Sequence, residues 1–260
     1  MRIEMASLPG DPQRPNEDWA SAALPASGQG GVLVVLDGVT PPAGGDGCTH
    51  GVPWFTARLG GRLTELSGSR RNMTLAQVLA EAIGRTADDH RTSCDLSHVR
   101  TPQATVVLAR WDEERFDYLV LSDSVLLLRA PDGTVTAVRD DRLDRVPRAV
   151  LGSAAATDAL RNAAGEPLAF FTAAADPAVA ARAVTGSVPR AAVTAAAALT
   201  DGATRWTDTF HEGGWPECLD LLRTEGPRAL LDRVRARESG PGPVPRGKRH
   251  DDASAVYAEL

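Results

Sequence analysis

The chain has 260 residues, 43% of them hydrophobic, enough to bury one large core, and the sequence predicts a single domain over 1–260. Its net charge of −6 and pI near 5.4 give no electrostatic reason to expect a nucleic-acid partner. Three cysteines (Cys48, Cys94, Cys218) are too few for a secreted disulfide framework, residues 1–10 lack a signal-peptide apolar stretch, and no apolar run approaches the roughly 20 residues of a membrane helix, so a cytoplasmic chain with no membrane partner is expected.

Residues 31–36 form a continuous apolar run, the pattern of a strand buried on both faces. Apolar residues at helical spacing predict helices over 52–66 and 74–90. Residues 104–109, 116–121, 125–129 and 134–138 are short strand-like segments with tight connections, among them the turn signal Pro131-Asp132-Gly133, and they predict one antiparallel meander. Further strands are expected over 168–172, 193–200 and 254–260. Asp176-Pro177 is a good helix start and predicts a helix over 176–184; two more are expected over 215–223 and 227–238. The Pro- and Gly-rich stretch 239–248 reads as a loop. Runs of strands with helices in pairs between them predict α+β layering over parallel βαβ winding.

Four short acidic motifs are spread along this frame: Asn16-Glu17-Asp18, Leu36-Asp37-Gly38, Thr200-Asp201-Gly202 and Asp251-Asp252-Ala253-Ser254. The last three place a carboxylate where a predicted strand meets a loop. Singly, each has a plain reading as a solvated loop, a cap or a strand-ending turn. Gathered in one place they would repel, and a fold that gathers carboxylates normally neutralises them with a hard divalent cation. A fifth segment, Leu121-Ser122-Asp123-Ser124-Val125, lies between two of the central strands, and Gln103-Ala104-Thr105 opens the strand before it.

In order, spacing and flanking residues these segments resemble those of the metal-dependent serine/threonine protein phosphatases (the PPM, or type 2C, family), with bacterial members nearest, and the resemblance covers nearly the whole chain. It implies a four-layer αββα sandwich of two antiparallel sheets flanked by helices, with metals at one edge. The implied cofactors are two Mn²⁺ or Mg²⁺ ions and a third, weaker one. Glu17 and Asp18 would ligate metal or hold water beside it, Asp37 would bridge both ions, and Gly38 would offer its carbonyl. Asp201 and Asp251 would complete the pair, with Asp123 helping Asp201 hold the third ion. Asp252 stands where asparagine is usual, so an exchange of roles between Asp251 and Asp252 stays open. The implied activity is hydrolysis of phosphoserine or phosphothreonine in a phosphorylated protein by a water activated between two cations. Signatures of a covalent route, a Gly-x-Ser-x-Gly elbow or a cysteine in a phosphate-cradling loop, are absent from the sequence.

Several positions depart from the family pattern. Many members carry a phosphate-clamping arginine five residues before the first-motif aspartate; here Gln13 holds that position and Arg14 follows it. A bulged loop would return Arg14 to the phosphate as a catalytic clamp. Val39 stands where some members have histidine, Val125 replaces the arginine of Gly-Asp-Ser-Arg, and the loop 40–45 lacks the usual immediate glycines. Arg246, Lys248, Arg249 and His250 form a charge run before Asp251, a solvated loop on the plain reading, with Arg249 and Arg246 as candidate phosphate contacts on the other. These departures keep two alternatives in view: a weak or inactive pseudophosphatase in signalling, and a two-metal phosphatase of small phosphorylated metabolites. Cys48 and His50, and then His90, Cys94 and His98, are borderline-soft ligands; their spacings fit no compact zinc pattern, and a structural or solvated role is expected.

Overall fold

The computed structural model describes residues 1–42, 44–240 and 248–260. In chain order it contains β1 (Arg2–Leu8), β2 (Trp19–Ala23), β3 (Gly31–Leu36), α1 (Val52–Ser69), α2 (Leu75–His90), β4 (Val106–Trp111), β5 (Arg115–Leu121), β6 (Val125–Arg129) and β7 (Val135–Val138). Then follow α3 (Arg148–Leu151), α4 (Ala154–Leu160), β8 (Val184–Pro189), β9 (Ala195–Leu199), α5 (Asp201–Asp208), α6 (Trp215–Ser239) and β10 (Ala253–Glu259). One sheet is ordered β1-β10-β9-β6-β7 and the other β2-β3-β4-β5-β8, with antiparallel pairing throughout.

Period-two alternation sends each inner strand's side chains to two different cores. On β3, Val34 and Leu36 meet Phe55 and Leu59 of α1 and Leu79 and Ile83 of α2. Leu33 and Val35 point the other way, into the space between the sheets, against a layer holding Leu126, Ala198 and Val256. On the far side Leu127, Ala197 and Tyr257 pack with Trp206 of α5 and Leu222, Leu230 and Val234 of α6. The result is the four-layer αββα arrangement. β9 is nearly all alanine, a poor strand former, yet it is fully buried between β10 and β6; packing overrides propensity there.

Local signals account for the helix ends. Thr74 caps α2, accepting from the Gln77 N–H at 3.2 Å while the Gln77 side chain accepts from the Thr74 N–H at 2.9 Å. The two helices expected over 215–223 and 227–238 are both present within α6, divided at Gly226, whose φ of 85° is non-helical and which Pro227 follows.

Three expectations need correction. The four central strands are not one meander: β4 and β5 pair in one sheet and β6 and β7 in the other, and the chain crosses between them at 122–124. Ser122 makes that crossing with a φ of 69°, a left-handed conformation that a residue other than glycine rarely adopts. Residues 168–172 are not a strand; Ala169 and Phe171 are apolar because they pack on the α1/α2 core, and the segment makes isolated bridges only. Residues 176–184 do not form an α-helix. Asp176 caps a 3-10 turn, Pro177–Arg182, and Val184 then enters edge strand β8 and pairs with Val120. The loop expected over 239–248 falls largely at 241–247, outside the described residues, as do Arg246 and Ala43 of the 40–45 loop.

Register brings the acidic segments to one end of the sandwich. Leu8 pairs with Ala253, and Leu199 with both Ala255 and Val125, in one sheet. In the other, Trp19 pairs with Leu36 and Val106 with Leu121. Residues 16–18, 37–38, 122–124, 200–202 and 251–252 all adjoin strand ends here, and 16–18 and 122–124 also carry the chain from one sheet to the other.

Candidate metal and phosphate site

Each carboxylate is set by the backbone beside it. The Asp37 carbonyl accepts from the Thr105 N–H at 2.9 Å, and the Thr105 hydroxyl lies 3.2 Å from the Asp37 N–H and 2.6 Å from the Ser124 hydroxyl. Gly38 follows because nothing larger fits: a Cβ there would lie 2.5 Å from the Glu17 carbonyl oxygen. Thr200 accepts from the Ser254 N–H at 2.9 Å and donates to Asp18 Oδ2 at 3.0 Å, tying the first, third and fourth motifs together. Asp201 is the first residue of α5, where the helix N-terminus favours a negative charge. Ser122 donates to Asp123 Oδ1 at 3.2 Å.

The electrostatics are those of buried, crowded like charges. Burial, then the charges of Asp201, Asp18, Asp123 and Asp251, push the Asp37 carboxyl well above the usual range. Burial and the Asp201 charge do the same to Asp18, and burial raises Asp123 and Glu17. Burial, with Asp123 and Asp251, brings Asp201 up to about 7. Asp18 Oδ1 is buried with no hydrogen-bond partner. An all-oxygen set with an orphaned carboxylate oxygen suits a hard divalent cation by its chemistry, and Asp18, Asp37, Asp201 and Asp251, with Asp123, are the groups that could hold one.

Asp251 and Asp252 have different surroundings. Asp252 accepts the backbone N–H groups of Gly10 and Glu17, each at 2.7 Å, one per oxygen. Asp251 instead lies among the charges that act on Asp37 and Asp201 and is paired with Arg205 at 2.9 Å and Lys248 at 3.1 Å. Arg205 is itself buried, held on its other side by buried Glu238.

Beside the carboxylates opens a cleft of about 260 Å³ whose walls include Arg14, Glu17, Thr40, Lys248, His250 and Asp252. Arg14 therefore reaches the cleft despite its displaced position; an Arg14 N–H···O=C Asp11 turn of 3.0 Å shapes the loop. Glu17 is hydrogen-bonded to Thr40, whose hydroxyl also takes the Lys248 ammonium at 2.6 Å. Arg249 points elsewhere: its guanidinium donates to the Glu238 carbonyl at 3.0 Å, at the end of α6. Of the charge run, the described members that face the cleft are Lys248 and His250. Lys248 carried a signal of its own, as the single lysine in a chain with 28 basic residues. Thr200 belongs to the third motif, but nothing in the sequence marked its link to Asp18 and Ser254, nor Arg205, because both act through contacts between distant segments.

A second cluster lies next to this cleft. Cys48, His50, His90 and Cys94 come together, each offering one ligand atom, with all four atoms within 4.8 Å of one another. The antiparallel packing of α1 on α2 carries the segment before α1 to the end of α2, which linear spacing does not reveal. His98 stays outside, its Nδ1 accepting from the Arg100 N–H at 3.1 Å. Against burial, which raises it, hydrogen bonds from Thr49, Ser93 and Cys48 bring the Cys94 thiol down to about 5.

No protein-family model and no curated protein matches the sequence. Solved structures do match in shape. The serine/threonine phosphatase Stp1 from Staphylococcus aureus superposes with a TM-score of 0.62 at 12% identity, over 99% of this chain and 94% of that one. The Mycobacterium tuberculosis serine/threonine phosphatase PstP/Ppp gives 0.61 at 15%, over 100% and 98%. The catalytic domain of serine/threonine protein phosphatase PstP in complex with two manganese ions gives 0.61 at 14%, over 99% and 97%. The chain thus has the fold of the bacterial PPM-type phosphatases, over its full length.

Proposed function

We propose that this chain is a metal-dependent phosphoric monoester hydrolase acting on phosphoserine or phosphothreonine in proteins. The observation that carries the proposal is the convergence of Asp18, Asp37, Asp123, Asp201 and Asp251 at one end of the sandwich, beside a cleft whose walls carry Arg14 and Lys248 among several carboxylates. Two divalent cations held there would supply an activated water and neutralise phosphoryl charge. Asp37, central to the cluster, is the proposed bridging ligand. Asp18, Asp201 and Asp251 would hold the ions with it, Asp123 would help Asp201 with a weaker third ion, and Glu17 and the Gly38 carbonyl would complete the set. Arg14 and Lys248 would orient the phosphate from the cleft walls, Arg14 through two parallel N–H donors. Thr200 keeps Asp18 aimed inward. The manganese ions in the PstP catalytic domain support the choice of Mn²⁺ or Mg²⁺.

One observation favours the weaker alternative, a pseudophosphatase. Arg205 and Lys248 already neutralise Asp251, so cations of the protein compete with metal for that ligand. Release of phosphate from p-nitrophenyl phosphate and from a phosphothreonine peptide, with Mn²⁺ and with chelator, separates the readings. Turnover that needs Mn²⁺ supports the hydrolase; metal binding without turnover on any phosphosubstrate supports the pseudophosphatase. A small phosphorylated metabolite preferred over the peptide would move the substrate class.

A further inference from the structure

We propose that Cys48, His50, His90 and Cys94 bind one Zn²⁺ in a closed, structural site, separate from the acidic cluster. The case begins with geometry. A tetrahedral zinc with Zn–S near 2.3 Å and Zn–N of 2.0–2.1 Å sets its ligand atoms about 3.3–3.8 Å apart. Here Cys48 Sγ lies 3.5 Å from His90 Nδ1 and 3.7 Å from His50 Nδ1, and Cys94 Sγ lies 3.3 Å from His50 Nδ1, all within that range; the two sulfurs, 3.2 Å apart, would separate by about 0.5 Å on binding. Chemistry agrees: two thiolates with two imidazoles suit zinc, whereas the oxygen set around Asp37 suits Mn²⁺ or Mg²⁺.

The surroundings are built for such a site. The Thr49 N–H points at Cys94 Sγ and the His50 N–H at Cys48 Sγ, each at 3.4 Å, as donors that stabilise thiolate sulfur. His90 ends α2 and is buried, and Trp54 stacks on the His50 ring with centroids 4.3 Å apart. Four protein ligands leave no open position, which marks a structural rather than a catalytic ion. The site has a clear mechanical role. Asp46, Gly51, Val52 and Pro53 line the cleft, and the tetrad fastens the segment between Asp46 and Gly51 to the end of α2. Zinc would therefore fix one wall of the cleft without touching what binds there.

The test is metal analysis of the full chain, purified with zinc present and dialysed free of loosely held ions. One zinc per chain is expected in the wild type and in Asp37→Asn, and none in folded Cys48→Ser/Cys94→Ser. Cobalt substitution reads the wild type alone, so it stands even if the double variant does not fold. Thiolate-to-cobalt charge transfer with intense tetrahedral d–d bands is expected, and both should vanish when zinc is added back. Trp54 reports the same event, through a change in fluorescence as metal is withdrawn. A wild type with no zinc and only weak octahedral cobalt bands would overturn the proposal. So would a Cys48–Cys94 disulfide recovered by mass spectrometry in the presence of zinc, or zinc lost in Asp37→Asn but retained in the cysteine variant.

Discussion

Of the charges that raise the Asp37 carboxyl, that of Asp201 is the strongest, although Asp37 leaves β3 in one sheet and Asp201 opens α5 beyond the other. The charges of Asp18, Asp123 and Asp251 act on Asp37 as well, so its ionised form is the most crowded of the group. A divalent cation would relieve that crowding.

Replacing Asp37 by asparagine should therefore separate stability from activity. The variant removes a repelled buried charge and nearly keeps the shape, so the metal-free protein should gain on the order of 1 kcal/mol, or roughly 2–4 °C in Tm. Mn²⁺ affinity should fall by at least about a hundredfold, and turnover with it. Calorimetry against Mn²⁺ and a p-nitrophenyl phosphate assay check both; a variant with wild-type turnover would end the two-metal reading.

The same cluster fixes a pH dependence. The Asp201 carboxyl rises from 3.8 to about 7 on folding, so the native state binds more protons than the unfolded chain between those values. Metal-free protein should be stabilised below pH 4 by this group and should lose that contribution as pH rises toward 7. Mn²⁺ should bind more tightly over the same interval as the proton leaves. Thermal melts from pH 5 to 8, with and without Mn²⁺, should diverge with pH; parallel curves would count against a shared site.

Asp251 and Asp252 are separable by the asparagine change at each. Asp251→Asn should weaken Mn²⁺ binding by more than about tenfold. Asp252→Asn should leave binding closer to wild type and cost stability, about 1–3 kcal/mol, because one of the two N–H groups it serves would face an amide nitrogen. The opposite pattern in a metal titration and a denaturant melt would exchange their roles.

Arg14 lines the cleft, and losing a charge-assisted contact to phosphate should cost about 1.5–3 kcal/mol. That is roughly a tenfold to hundredfold drop in kcat/KM for Arg14→Ala. Wild-type kinetics would remove the clamp, leave Lys248 as the phosphate contact and keep the metal proposal intact.

Much of this was legible in the residues, and the pattern of what was not is physical. Buried strands such as β3 and β6 announce themselves by continuous apolar runs, and the acidic motifs lie at strand ends where the sequence places them. Edge strands β1, β2 and β8 went unpredicted because they are half exposed and mix polar with apolar residues. α5 was hidden by its polar composition behind an Asp-Gly turn signal. Which sheet a strand joins is not a local property, so the crossing at Ser122 broke the predicted meander. Arg249 looked like a phosphate ligand by adjacency to Asp251, yet its side chain caps α6. The Cys/His tetrad was unreadable for the converse reason: its two halves are joined by helix packing and not by spacing.

The crossing has a last consequence, for how the protein comes apart. Asp18 and Asp37 adjoin strands of one sheet, Asp201 and Asp251 adjoin strands of the other, and Asp123 sits on the link between them. The layer joining the sheets is otherwise apolar and non-directional, with Leu33, Val35, Leu126 and Ala198 among its members. Cations gathered by these carboxylates would act as a rivet through both layers, so that neither sheet could open by itself. Backbone amides of β3 and β9 should then exchange with deuterium as one cooperative unit when Mn²⁺ is bound, and as two units of different stability when it is withdrawn.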